Sequence, residues 1–543
     1  MTAPDDDIPP KPKNKKPTPT PPRKILTIKD PMLKDQWHLQ NTKFGDIPLK
    51  GGGTTKIDIN ITPVWNKGYY GKGIKIGVLD TPIEQTHPDI KDNLPPENVV
   101  SYFPDTDVVC DGYGADNHGT AVAGLIAARN NDIGVVGVAP QATLYGYAAI
   151  RAHLYYSEIK NKYWYHIDEL VKFFNRPEAM QIAVYNGSIV DGGGSERSYA
   201  TNAAEQSVLR SFDRLTNNGF GGLGTSLVFS AGNSASLFGS SNNNQFLNHY
   251  AVIGVNSITA DGRTVFSKLG LTKSLSVTGE IGANIWLMAP SARVFGNRLF
   301  TTYLTRSCDK SYGAIFGGTS GAAPLVSGVV ALLREAYPKL SWRDIKLILA
   351  ESAKKTATDS SWDRDWKASG KMYHDPSKTQ YHHPTKGFGM VDAGAAFDLA
   401  KKWTPLPPMK TETFEYNTPF GTASRNTLYT KEMTVSGSAL SYLEFVELQM
   451  EIDRTTDLEF TKWELSLIAP SGRLVRIYAD YDSDYEAMIL QKGLTKLKFA
   501  VNGFLGNDTI NGKWMLLLRV KNHAQNKGRI KAVKNWKLVL RGH

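Results

Sequence analysis

Gly73-Ile74-Lys75-Ile76-Gly77-Val78-Leu79-Asp80-Thr81 is the stretch that decides the fold. A glycine opens a short aliphatic and β-branched run and an aspartate closes it, the pattern of a strand buried on both faces. Similar runs recur at Ala142-Thr143-Leu144-Tyr145, Ser226-Leu227-Val228-Phe229 and Ala251-Val252-Ile253-Gly254-Val255, and a helical pattern starts at His118 between the first two. Strands separated by helices imply an α/β fold, a parallel sheet with helices on both faces. Functional groups in such sheets gather at the carboxyl ends of the strands, which makes Asp80 the first site candidate.

Working outward, 543 residues exceed one ordinary core. Residues 1–28 read as a Pro/Lys-rich tether: the first 22 carry eight prolines, with Asp5-Asp6-Asp7 and a lysine-rich run from Lys11 to Lys16, and cannot bury apolar surface. No charged segment followed by an apolar stretch precedes them, so no secretory signal is visible. Residues 29–403 form the α/β part. Prolines then interrupt the chain in Trp403-Thr404-Pro405-Leu406-Pro407-Pro408, and residues 404–543 read as short alternating strands, among them Glu447 to Ile452 and Trp514 to Leu518. Turns at Pro470-Ser471-Gly472 and Asn511-Gly512 separate them, so this part is expected to be an all-β jelly-roll sandwich.

Hydrophobic residues at 41% and charged residues at 21% exclude a disordered, collagen-like or coiled-coil chain. A formal charge of +11 favours anionic partners without naming one. Two cysteines exclude a disulfide scaffold and a Cys-rich metal site. The uncharged stretch Phe316 to Leu333 is about long enough to span a membrane, but Gly317-Gly318, Thr319-Ser320 and Pro324 in its first half make it a buried loop and core helix.

Acyl transfer by a serine hydroxyl needs a nucleophile, a base, a carboxylate that orients the base, and donors facing the oxyanion. Asp80 ends its strand, and His118 opens a helix in Asn117-His118-Gly119-Thr120-Ala121, whose small residues permit close packing. Ser320 begins another helix in Gly317-Gly318-Thr319-Ser320-Gly321-Ala322-Ala323-Pro324, and Asn233 follows a strand in Ser230-Ala231-Gly232-Asn233. A lone buried Asp, His or Ser is usually structural. Four such segments at strand ends and helix starts point to one constellation.

In that chain order these segments resemble the subtilase family of serine proteases. The resemblance implies Ser320 as nucleophile, His118 as general base and then acid, Asp80 as its orienter, and Asn233 with the Ser320 N–H as oxyanion hole. Asp30-Pro31-Met32, Gln36-Trp37-His38-Leu39, Leu340-Ser341-Trp342-Arg343-Asp344-Ile345 and Gly387-Phe388-Gly389-Met390-Val391-Asp392 are similar to segments of the kexin-like branch, bacterial type. The resemblance makes residues 29–403 a subtilisin-like catalytic domain and 404–543 a P-like domain.

Kexin-like enzymes cleave after basic residues, and here the sequence departs from their pattern. The expected Ser-Trp-Gly-Pro strand reads Asn186-Gly187-Ser188-Ile189-Val190, and the run near the second expected aspartate is Asn242-Asn243-Asn244-Gln245. Ser188, Asp191 and Asn243 are the substrate-binding candidates, with Asp191 equally readable as a turn residue before three glycines. Asp89 and Asn131 match family positions of a structural Ca2+ site that Asp30 closes. The alternative for Asn131-Asp132 is a simple turn, and His87 is expected at the surface. Cys110 and Cys308 approach the site from both sides and suit one bridge or two isolated thiols.

The expected substrate is protein or peptide. Ile510 to His543 hold nine Lys and Arg and no Asp or Glu, read as a solvated face, so no nucleic-acid partner is expected. Subtilases fold with a prodomain, and the tether is too short and Pro-rich to be one, which implies a removed prodomain or a separate folding chaperone. The tether also resembles the spacer after the lipid-anchor cysteine of bacterial lipoproteins, and with the family it implies a secreted, cell-surface or periplasmic protein. The rival reading is a catalytically idle, subtilase-shaped protein that binds a partner through the basic sandwich.

Overall fold

The computed structural model describes residues 23–101, 117–151, 164–165, 167–188, 203–233, 240–262, 279–291, 297–303, 311–356, 366–417, 428–454, 458–459, 463–478, 489–490, 493–507, 509–520 and 530–543. Seven strands form one all-parallel sheet: β1 Lys75–Asp80, β2 Val99–Ser101, β3 Thr143–Ala148, β4 Val184–Gly187, β5 Ser226–Ser230, β6 Val252–Ile258 and β7 Ile285–Pro290. Their order is β7-β6-β5-β4-β1-β3-β2. After β1 the chain builds two strands to one side and then crosses to the other, so Asp80 ends the strand where the winding reverses.

The four runs read first all form strands, whereas of the expected strand Asn186–Val190 only Asn186 and Gly187 lie in one, β4, with Ser188 beyond its end and residues 189–190 outside the described residues. β2 and β7 were not foreseen: the first has three residues, and the second, Ile285-Trp286-Leu287-Met288-Ala289-Pro290, is β-branched at one position and ends in proline.

Side chains alternate across the sheet. In β5, Val228 faces one core while Leu227 and Phe229 face another. Helices α1 His118–Ala127, α4 Gly318–Ala336 and α5 Trp342–Ser352 contribute to the first core. Helices α2 Ile167–Phe174 and α3 Ala203–Asn218 cover the opposite face with Leu170, Phe173 and Phe174 and with Val208, Phe212 and Leu215, the latter at helical spacing. The Phe316–Leu333 stretch resolves as expected: α4 is buried along nearly its whole length inside the protein. No helix of the described residues is long and apolar enough to cross a membrane.

The C-terminal part is a jelly-roll sandwich of two four-stranded antiparallel sheets. One pairs Lys410–Tyr416, Ile530–Gly542, Leu443–Arg454 and Gly493–Ala500; the other pairs Leu428–Val435, Gly512–Val520, Trp463–Ile468 and Leu474–Tyr478. Trp514, Leu516 and Leu518 from one sheet meet Trp536, Leu538 and Leu540 from the other, the period-2 pattern of an inner face.

The proline run between the two parts is pinned to the first turn of α5. Asp344 caps that helix together with Ser341 and also accepts from the Trp403 indole at 2.9 Å and the Leu406 N–H at 2.8 Å. Its neighbour Arg343 donates to the Pro407 carbonyl at 2.7 Å and grips Glu444 of the sandwich with two nitrogens.

Candidate active site

β1 delivers Asp80, wholly buried, to the carboxyl edge of the sheet. Helix α1 then lies directly on the chain after β1: a Cβ on Gly119 would fall 2.1 Å from the Thr81 carbonyl oxygen, so only glycine permits this approach. The Thr81 hydroxyl accepts from the Gly119 N–H at 2.8 Å and fixes the contact. The first residue of α1 is thereby set on the aspartate, with His118 Nδ1 2.6 Å from Asp80 Oδ1. A carboxylate at that distance holds the proton on Nδ1 and leaves Nε2 as a base. The imidazole is partly exposed and meets the edge of Phe316, with ring centroids 4.9 Å apart.

Ser320 lies at the third position of α4, on a strand-to-helix turn that Gly318 makes at φ +66°. Asn233 stands against that turn. Its Oδ1 accepts from the Thr319 N–H at 2.9 Å and the Thr319 hydroxyl at 3.1 Å, so its Nδ2 amide points away from the backbone donor. Gly318 is again required, because a Cβ there would meet Asn233 Oδ1 at 2.7 Å. The arrangement therefore offers a serine hydroxyl, an oriented imidazole and an amide donor at one sheet edge. The hydroxyl of Ser320 donates to the Ser188 carbonyl at 3.3 Å, and no Ser320–His118 hydrogen bond occurs among the described residues.

The sequence missed the residues that hold this assembly. Thr81 and Thr319 each follow or precede a site residue, and adjacency was the only signal available. Ser188 is buried: its hydroxyl donates to the Ser320 carbonyl at 3.0 Å and accepts from Asn186, which also accepts from Ser327.

Two members of the asparagine run, Asn242 and Asn244, are engaged in internal contacts. Asn242 is fully buried; its amide accepts from Ala283 N at 2.7 Å and donates to the Ala500 carbonyl of the sandwich at 3.3 Å. Asn244 Oδ1 caps the turn that follows, accepting from Phe246 and Leu247. Asn243 is partly buried between them. Asp191, Cys110 and Cys308 lie outside the described residues.

Asp30, Asp89 and Asn131 converge next to the loop after α1. Asn131 N–H donates to Asp30 Oδ1 at 3.2 Å, and Val135 N–H donates to Asp89 Oδ2 at 3.0 Å. The other oxygen of each carboxylate is buried without a partner. Burial pushes both carboxyls up to about 6, with Asp132 raising Asp30 further and Asp30 raising Asp89. Two orphaned carboxylate oxygens fit a hard cation. No three His, Cys, Asp or Glu side chains cluster among the described residues, so the other ligands would be amide and carbonyl oxygens. His87, expected at the surface, is instead fully buried: its Nδ1 accepts from Asp89 N–H at 3.2 Å, and its ring packs edge-on against Tyr312. The Pro88 turn buries it against the strand Tyr312–Phe316, a long-range contact with no local sequence signal.

Similarity to known proteins agrees with the fold. The chain is 28% identical over 530 residues to neuroendocrine convertase 2 of Sus scrofa, covering 95% of this chain and 74% of that protein. It is 27% identical over 543 residues to the Aeromonas extracellular serine protease of Aeromonas sobria, covering 90% and 84%. The crystal structure of the Aeromonas sobria serine protease in complex with its chaperone has the same fold over 96% of both chains, with a TM-score of 0.74 at 22% identity. The Subtilase family profile matches residues 71–390, more than half of the chain, so this protein belongs to the subtilase family and is a serine endopeptidase.

Proposed function

We propose that the protein is a secreted endopeptidase that cleaves polypeptides through Asp80, His118 and Ser320, with Asn233 and the Ser320 N–H receiving the oxyanion. Substrate displaces the Ser320 hydroxyl from the Ser188 carbonyl toward His118 Nε2. His118 takes the hydroxyl proton as Oγ attacks the carbonyl, gives it to the leaving amine, and then activates water against the acyl-enzyme. Asp80 stabilises the imidazolium. The observation that carries this reading is the 2.6 Å Asp80–His118 pair on the same sheet edge as the Thr319–Asn233 clasp.

A fluorophosphonate probe tests it. Labelling of the wild type at Ser320, absent in Ser320→Ala, is expected. An unlabelled protein is the idle binding scaffold instead.

The finer assignments belong to the same proposal. Residues 29–403 act as catalytic domain and 404–543 as P-like domain. Ser188, Asp191 and Asn243 contact substrate, with Asp191 pairing a basic side chain. Asp30, Asp89 and Asn131 would hold a structural Ca2+ that braces the loop after α1. Folding help from a separate chaperone is supported by the Aeromonas sobria protease, solved with one, and export by the extracellular relative from the same organism. Residues 1–28 serve as the tether, lipid-anchored in a longer precursor.

A further inference from the structure

A cavity of about 290 Å³ lies between the sandwich and the last hairpin of the α/β part, outside the site described above. Lys367, Arg473 and Arg476 line it with His382, Pro384 and Val475, and no acidic side chain among the described residues does so. We propose that it is a binding site for an organic carboxylate carrying a small apolar group.

Arg473 supplies the first argument. Its guanidinium is only partly exposed and donates to the Gly503 carbonyl and, at 3.3 Å, to the Lys367 carbonyl, with no carboxylate partner among the described residues. A half-buried guanidinium whose fork meets only carbonyls is matched by an incoming carboxylate, which Arg engages with two parallel hydrogen bonds. Burial lowers Arg473 to about 10 with no compensating anion, the electrostatic signature of the same mismatch.

The walls supply the second argument. Pro384, Val475 and the exposed Leu474 give an apolar lining beside the cations, so a bare inorganic anion would leave that surface wet. His382 forms the inner wall. Its Nε2–H goes to the Ile285 carbonyl at 2.9 Å, and burial keeps the ring neutral, with a lowered value of about 4, so the apolar part meets no charge that it would desolvate. The cavity borders both halves of the chain, and a bound ligand would bridge them and raise thermal stability by linkage.

Melting of the full chain in the presence of hexanoate tests this, with hexanamide as the uncharged control. A saturable rise in Tm with hexanoate alone is expected. Arg476→Gln, on an exposed residue, should leave the ligand-free Tm unchanged and weaken hexanoate binding at least fivefold; Arg473→Gln should abolish it. Acetyl-Gly-Leu with a free carboxylate, set against its amide, distinguishes the source: tighter binding than hexanoate marks a polypeptide chain end, weaker binding a free acid. Equal shifts with hexanamide, no shift with any carboxylate, or full hexanoate affinity in both variants would overturn the site.

Discussion

Asn502 of the sandwich donates its side-chain amide to the carbonyl of Asn284, the residue before β7, 2.8 Å away across 218 residues of sequence. Around this bond the two halves share one buried amide network. Asn284 donates to Asn248 Oδ1 at 3.1 Å, Asn248 Oδ1 also accepts from the Ala500 N–H at 3.1 Å, and Asn248 donates to the Asn242 carbonyl at 2.7 Å. Each of these asparagines is nearly or fully buried, so breaking one member leaves partners unsatisfied in a dry environment.

The network predicts that the halves do not separate cleanly. Truncation after Pro408 should give an insoluble or unstable product, because Phe445 and Ala500 belong to the core that Tyr250 and Trp342 also build. Glu444→Gln should cost about 3–5 kcal/mol by leaving Arg343 buried without its carboxylate. Burial alone would raise Glu444, yet hydrogen bonds from His543 and Arg343 hold it below the usual range. Urea titration reads the cost; a soluble, fully active 1–408 fragment would contradict the coupling.

At the active site, Ser320→Ala should lower turnover at least ~10⁴-fold with the fold unchanged, since only a hydroxyl is removed. Asn233→Leu should lower kcat by roughly 100- to 1,000-fold through loss of one oxyanion donor. Single-turnover assays with circular dichroism on each variant give the check, and near-wild-type kcat in either one refutes the assigned roles.

Chelation should act on stability before chemistry. Excess EGTA should lower Tm, and Asp89→Asn should abolish the effect, because the orphaned oxygens of Asp30 and Asp89 lie beside the loop after α1 and not among the reacting groups. A Tm indifferent to EGTA in a protein without bound calcium would remove the site.

His38 predicts an acid-sensitive contribution to stability. It is fully buried with both ring nitrogens unpartnered, and burial lowers it to about 3 from 6.5. Below pH 6.5 the unfolded chain binds a proton that the folded chain refuses until about pH 3, so folding stability falls as pH drops through that window. The loss reaches about 2 kcal/mol by pH 5 at ~1.4 kcal/mol per unit. Glu351 opposes it, because burial raises its carboxyl to about 7 and the folded chain holds the proton there. The measurement is therefore the difference between wild type and His38→Gln from pH 7.5 to 5; parallel curves would exclude the effect.

Specificity is the sharpest separate test. Asp191→Asn should reduce kcat/KM for Arg substrates far more than for apolar ones, since a charge partner is lost. A peptide library cut after Phe or Leu, unchanged by the substitution, would make the pocket subtilisin-like.

The sequence by itself determined the α/β order, the sandwich after the prolines and the four segments that carry Asp80, His118, Asn233 and Ser320. Those are local signals: strand runs bounded by glycine, small residues where helices touch backbone, and turn residues between strands. Tertiary structure alone decided that His87 is buried, that Asn242 and Asn244 serve the junction and the turn beside it, and that Arg343 reaches Glu444. An amide is equally fit for a pocket, a turn or an interface. Which of these it serves depends on the partner brought to it from hundreds of residues away, and single-residue chemistry carries no record of that partner.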